Sequence, residues 1–353
     1  MQGCASQSGR TLALDVMSGD ESPRSRIQAA LRALNTFPNL HLILVGDKFF
    51  IESCLKKSST HCTRLTLVHS SKTVPMDQKP SQALRTREGT SMWEALQLVA
   101  QGRADACVSA GNTGALMAMG SLSLKTFTGI DRPAIAGSIP SQQGSVLMLD
   151  MGANIDCTAS QLHQFALMGS ALVKAVKRLP NPKIGLLNIG VEENKGTQPI
   201  REASQLLRQD KRLNYIGYLE GHDIFTGQAD VIVCDGFAGN VALKSGEGTA
   251  RLIHKKMLDL FQKSLWRRCL AFFVLPLLRE FSQSVDPVLY NGASLLGLRS
   301  TVIKSHGSAN VEGFYQAICE AVKEVGTDVP GKLADSIEFA TQKSPDPDAQ
   351  QKD

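Results

Sequence analysis

The chain has 353 residues, of which 38 are Lys or Arg and 33 are Asp or Glu; 42% are hydrophobic, 20% charged and 5% aromatic, with 30 Gly and 14 Pro. This composition excludes a disordered, collagenous or coiled-coil chain, and no apolar stretch reaches the roughly 20 residues a spanning helix needs. The formal net charge of +5 is gathered in residues 251–280, where Arg251, Lys255, Lys256, Lys263, Arg267, Arg268 and Arg279 face only Asp259 and Glu280. That points to a local anionic partner rather than to nucleic acid.

Along the chain, residues 1–10 are polar and lack the apolar region of a signal peptide. With 342–353 they read as disordered tails on one α/β domain spanning 11–341. Apolar runs at 11–16, 40–45, 65–69, 104–109, 145–150, 183–188, 215–219 and 230–234 alternate with helix-length segments. They are nearly continuous in Val, Ile, Leu and Ala, as strands buried on both faces are. The expected fold is therefore three-layer α/β/α, doubly wound on a mostly parallel sheet. The eight Cys and seven His are scattered, with no CxxC. No metal or other cofactor is expected, and a reduced, cytoplasmic setting is.

The functional signal lies in the loops that close these runs. Ser109-Ala110-Gly111-Asn112-Thr113-Gly114, Asp150-Met151-Gly152-Ala153-Asn154, Asn188-Ile189-Gly190 and Asp235-Gly236-Phe237-Ala238-Gly239-Asn240 all stand at the ends of apolar runs. In parallel sheets ligands bind at the carboxyl ends of strands, so these loops are expected to share one rim and form a polar active-site crevice there. Gly allows close backbone approach there, and Asn and Asp supply short polar arms. The loops at Ser109–Gly114 and Asp235–Asn240 each open a helix, whose N-terminus favours an anion. Lys195 sits in a further turn-rich loop, and His306 lies between Ser305 and Gly307. GxGxxG and GxSxG are absent. Gly326 to Leu333 imitates a phosphate-binding P-loop but ends in Leu where Ser or Thr is needed.

Taken in order, these motifs, together with Asp15-Val16-Met17-Ser18-Gly19-Asp20, Leu44-Val45-Gly46-Asp47, Gly129-Ile130-Asp131-Arg132-Pro133-Ala134 and Lys304-Ser305-His306-Gly307, resemble the bacterial phosphate acyltransferase family over about residues 11–325. The resemblance implies transfer of a fatty acyl group from acyl carrier protein to inorganic phosphate, giving acyl phosphate for phospholipid synthesis. It also implies a homodimer with a fold akin to isocitrate and isopropylmalate dehydrogenases, associated peripherally with the membrane. A downstream membrane glycerol-3-phosphate acyltransferase is a further expected partner.

A thiolate leaves readily and phosphate is already anionic, so the reaction asks mainly for positioning and for donors to the developing oxyanion. Lys195, Asn240 and His306 are the catalytic candidates. Asp20, Ser109, Gly111, Asn112, Thr113, Asn154, Asn188, Asp235, Gly236 and Gly239 are the candidates for phosphate and substrate binding. Residues 251–280 read as an amphipathic helical hairpin. Leu270, Phe272, Phe273 and Leu275 would enter the membrane interface while Arg267 and Arg268 meet anionic lipid; docking of acidic acyl carrier protein, or a buried core helix, are the competing readings. Two other functions stay open: a nicotinamide-dependent decarboxylating dehydrogenase of the related fold, and a non-catalytic scaffold for acyl carrier protein.

Overall fold

The computed structural model describes residues 9–56, 63–262 and 287–341. The apolar runs form strands β1 (Arg10–Asp15), β2 (Leu40–Gly46), β3 (Leu65–His69), β4 (Ala106–Ser109), β5 (Ala134–Ser141), β6 (Gly144–Leu149), β7 (Lys183–Leu187), β8 (Asn214–Leu219), β9 (Val231–Val233), β10 (Ala293–Leu296) and β11 (Thr301–Lys304). Among the described residues the helices are α1 (Pro23–Thr36), α2 (Lys48–Lys56), α3 (Pro80–Arg85), α4 (Ser91–Ala100), α5 (Thr113–Leu124), α6 (Ala159–Lys177), α7 (Gln198–Gln209), α8 (Gly236–Gln262), α9 (Val311–Gly326) and α10 (Val329–Thr341). Local chemistry starts several of them. Ser22 caps α1 ahead of Pro23, Thr90 caps α4, and Thr158 with Gln161 forms a capping box on α6.

Alternation along each strand feeds two faces. Leu12 and Leu14 of β1 pack with Ile27 and Leu34 of α1 and with Phe314 and Ile318 of α9. Ala13, between them, joins Met92 and Leu96 of α4 and Leu116 and Met119 of α5 on the other face. The far half repeats the plan. Leu147, Leu149, Val231 and Val233 pack under Phe165 and Met168 of α6, whereas Val146, Met148 and Ile232 face Ala238 and Ala242 of α8. Helices thus cover both faces, as expected.

The sheet order is β3-β2-β1-β4-β11-β10-β5-β6-β9-β7-β8. Strands β3, β2, β1, β4 and β11 are parallel to one another, as are β6, β9, β7 and β8. Between these blocks, β11–β10, β10–β5 and β5–β6 are antiparallel. Three reversals leave the two parallel blocks running in opposite directions. This corrects the expectation of one continuous rim: the polar loops leave the sheet from two edges. Strands β5, β10 and β11 were not among the expected runs. β5 contains Gly137 and Pro140, and β10 and β11 have four residues each, too short and too interrupted for periodicity to mark. Arg10, assigned to the N-terminal tail, opens β1. The P-loop imitation proves to be helical: Gly326 ends α9 and Gly331 lies in α10.

Glu324 of α9 is a buried acid. Ser294 Oγ donates to its Oε2 at 3.0 Å, while Oε1 has no partner. Burial, reinforced by Glu320, pushes its pKa from an ordinary 4.5 up to about 8. The unfolded chain therefore ionises at lower pH than the folded one. Stability is expected to fall as pH rises from about 4.5 to 8, by up to ~1.4 kcal/mol per pH unit from this group. Glu324→Gln should flatten that slope in urea unfolding measured across the window; an unchanged slope would refute the assignment.

Candidate active site

One group of candidates gathers where β1, β4 and β11 end. Asp15 is buried; its carboxylate accepts from Ser109 Oγ at 2.7 Å and from the Ser18 amide at 3.3 Å. Ser109 Oγ in turn accepts from the Gly111 amide at 3.1 Å. Ser109 and Gly111 therefore tie the loop to the sheet. Asn112 caps α5 by accepting from the Ala115 amide at 2.9 Å. Its Nδ2 donates to the carbonyls of Met76 and Gln78 at 2.7 and 2.9 Å, so it is a strut. Thr113 is half-buried and Asp20 is exposed. The Asp20 amide donates to the Gly307 carbonyl at 2.8 Å, which joins this loop to the His306 loop.

Two buried cations lie beneath. Arg26, wholly buried, donates to the carbonyls of Glu21 at 2.6 Å and Gly307 at 3.4 Å. Lys304 is buried with its Nζ on the carbonyls of Ser305 and Ala110. Desolvation lowers its pKa to about 8, with Asp20 opposing. These two cations bias the local field; their paired donors meet backbone carbonyls, while Arg26 Nε is buried without a partner.

The second group lies at the ends of β6, β9 and β7. Asp150 is buried and accepts from the amides of Ile135, Ala153 and Asn154 and from Asn154 Nδ2, all within 3.0 Å. Burial raises its pKa while these bonds pull it down. Asn154 also donates to the Pro133 carbonyl at 2.9 Å. Asp235 accepts from the Ala238 amide at 2.7 Å and its carbonyl from the Gly239 amide at 3.0 Å. The Gly236 amide donates to the Asn154 carbonyl at 2.7 Å. The amides of Gly236, Ala238 and Gly239, expected to cradle an anion, are thus already paired. The two glycines have a different reason. A Cβ on Gly236 would lie 2.7 Å from the Asn154 carbonyl oxygen, and one on Gly239 only 1.9 Å from that of Asp150. They let α8 seat directly on the 150–154 loop.

Asn188 is likewise structural. It accepts from the Ile189 amide at 2.9 Å and donates to the Lys195 carbonyl at 3.3 Å. It also fills the space beside Gly196, whose φ is +87°. The loop it braces presents Lys195 exposed, on the edge next to the start of α8 because β7 pairs with β9.

Helix α8 joins the two groups. Asn240 is exposed beside Gly152, whose added Cβ would meet Asn240 Cβ at 3.4 Å. One helical turn later on the same face comes Lys244, whose Nζ lies 3.2 Å from His306 Nε2. Lys244 was not among the candidates. It sits inside a helix without a motif of its own, and only the fold brings it to a residue 62 positions away. His306 also contacts Ser308 Oγ through Nδ1 at 2.8 Å. Burial and then Lys244 depress its pKa. Among the described residues no group of three metal-ligating side chains occurs. Leu270, Phe272, Phe273, Leu275, Arg267 and Arg268 lie outside the described residues. The end of α8 that leads toward them exposes Leu252, Ile253, Leu258 and Leu260. No helix among the described residues is long and apolar enough to cross a membrane.

A family described as "Fatty acid synthesis protein" matches residues 10–332. A phosphate acyltransferase from Pseudomonas syringae pv. syringae is 48% identical over 332 residues, 94% of this chain and 97% of that relative. In fold, the chain is similar to a phosphotransacetylase from Streptococcus pyogenes, with a TM-score of 0.60 at 19% identity over 94% of this chain and 95% of the other. It is also similar to a 4-hydroxythreonine-4-phosphate dehydrogenase from Klebsiella pneumoniae, with a TM-score of 0.52 at 13% identity over 91% and 99%.

The division between struts and free side chains is testable by stability. Gly239→Ala is expected to cost roughly 3 kcal/mol through backbone overlap. Asn240→Ala, which removes no described hydrogen bond, should stay within ~0.5 kcal/mol of wild type. Urea unfolding midpoints measure both, and a tolerant Gly239 would contradict the close seating of α8.

Proposed function

The chain belongs to the phosphate acyltransferase family, and on that premise we propose that it transfers a fatty acyl group from acyl carrier protein to inorganic phosphate. A phosphate oxygen attacks the thioester carbonyl, the C–S bond breaks, and the pantetheine thiolate leaves. Thiols have a pKa near ~8.5, so departure at neutral pH needs no strong acid, and phosphate needs no strong base. The protein must hold a multiply charged nucleophile against the carbonyl and offer donors to the oxyanion.

The observation that carries the site assignment is Asn240. It is exposed at the first turn of α8, on the helix that links the two loop groups through Lys244 and His306. In this reading its amide donates to phosphate or to the oxyanion, and Lys195, on the loop after the neighbouring strand β7, neutralises phosphate charge. Asp20, Thr113 and His306 line the opposite wall. The three-layer plan is read as akin to the isocitrate and isopropylmalate dehydrogenases, with two chains acting as a homodimer. The acyl phosphate passes to a membrane acyltransferase that uses glycerol 3-phosphate. The basic, apolar end of α8 and the segment after it would hold the enzyme on anionic lipid. The exposed Leu252, Ile253, Leu258 and Leu260 beside Arg251, Lys255 and Lys256 support this.

With acyl carrier protein thioester and phosphate, thiol release should depend on phosphate and yield a product that hydroxylamine traps. Lys195→Ala and Asn240→Ala should each lose about 10²–10³ in turnover while remaining folded; near-normal rates in both would remove the assignment. For the membrane claim, a Phe272→Asp, Phe273→Asp double variant should no longer sediment with anionic vesicles, and unchanged sedimentation would exclude it.

A further inference from the structure

We propose that Lys244 binds the nucleophilic phosphate directly, held in place by His306 and Glu247 as positioning residues. This rests on the acyl-transfer reading above and adds a residue to it.

The first argument is donor counting. A lysine ammonium has three hydrogens. One meets His306 Nε2 at 3.2 Å and one meets Glu247 Oε2 at 3.1 Å. Among the described residues the third has no partner, and the Lys244 side chain is about half exposed. The other cations on this wall differ. Lys304 and Arg26 are buried and turned onto backbone carbonyls.

The second argument is charge. Glu247 is shared: Arg251 Nη2 approaches the same Oε2 at 3.6 Å. One carboxylate therefore faces two cations, and Lys244 retains uncompensated positive charge. A surface ion pair at this helical spacing would need no imidazole. Here an ammonium points at a ring nitrogen, which must present its lone pair. With the lone pair of Nε2 turned to Lys244, His306 is neutral and its proton is on Nδ1, directed to Ser308 Oγ at 2.8 Å; the longer approach of the Ser308 amide to the same nitrogen, 3.3 Å, is in this reading a contact and not a hydrogen bond. The groups facing His306 are Lys244 and Glu247 of α8, Lys304 at the end of β11 and Asp20 after β1. His306 thereby orients the ammonium without cancelling its charge.

The third argument is placement. Lys244 follows Asn240 by four residues, so the two stand on one face of α8 with Cβ atoms roughly 5–6 Å apart. Both side chains project from that one face, so their donors are available to two oxygens of a single tetrahedral anion. Asn240 and Lys244 then form one phosphate clamp on a rigid helix, with Lys195 contributed by the loop after the adjacent strand β7.

Equilibrium binding of inorganic phosphate, followed by calorimetry on the full-length protein, tests this without reference to turnover. Lys244→Met should weaken binding roughly 10- to 100-fold, and Lys244→Arg should recover most of the loss. His306→Ala should weaken it several-fold, and added imidazole should restore it, which a merely structural role would not allow. Matching circular dichroism spectra confirm that the variants are folded. Absence of saturable phosphate binding in the wild type, or equal affinity in Lys244→Met, overturns the proposal. Phosphate binding that depends on Lys244 but produces no acyl phosphate would leave this inference standing and defeat the acyl-transfer reading instead.

Discussion

The arrangement depends on how closely α8 approaches the loop after β6. Gly236 and Gly239 leave no gap between the helix and the backbone of Asp150 and Asn154. Asp235 caps the first turn, and the Gly236 amide reaches the Asn154 carbonyl. The 150–154 loop is itself rigid, because four donated hydrogen bonds converge on the buried Asp150 carboxylate. A helix seated this way has its rotation and axial position fixed. Both Asn240 and Lys244 inherit that precision, since side chains on a packed helix are better placed than those on a loop.

This seat matters because the sheet reverses at its centre. Two parallel blocks running in opposite senses send their polar loops to different edges. Without a connecting element the loops after β1, β4 and β11 would be remote from those after β6, β9 and β7. Helix α8 starts in the second group and reaches His306 of the first within two turns. The two loop groups are therefore linked by one helix crossing between blocks, rather than by a single row of strand ends.

The polar residues divide into two kinds. Ser109, Asn112, Asn154, Asn188 and Asp235 hold backbone groups that would otherwise lack a partner, at distances of 2.7 to 3.3 Å. Asp20, Lys195, Asn240 and Lys244 are exposed. In the sequence both kinds look alike, because Asn and Asp suit turns and helix caps as well as ligands. Several residues suggestive by type carry hydrogen bonds of the scaffold. A lysine without a motif became the side chain that touches both the helix and the His306 loop.

By itself the sequence determined the α/β class, eight of the strands to within one or two residues, the glycine and asparagine loops at their ends, and the family. Periodicity, turn chemistry and motif order are local, so they are legible without a fold. Tertiary structure decided the direction of the two blocks, the strands β5, β10 and β11 at and between their facing edges, and which polar side chains pair with the scaffold. Those outcomes rest on partners far apart in the chain: Ser109 on Asp15, 94 residues away, and Lys244 on His306, 62 residues away. A hydrogen bond has no signature in either residue alone, and only packing brings its two ends together.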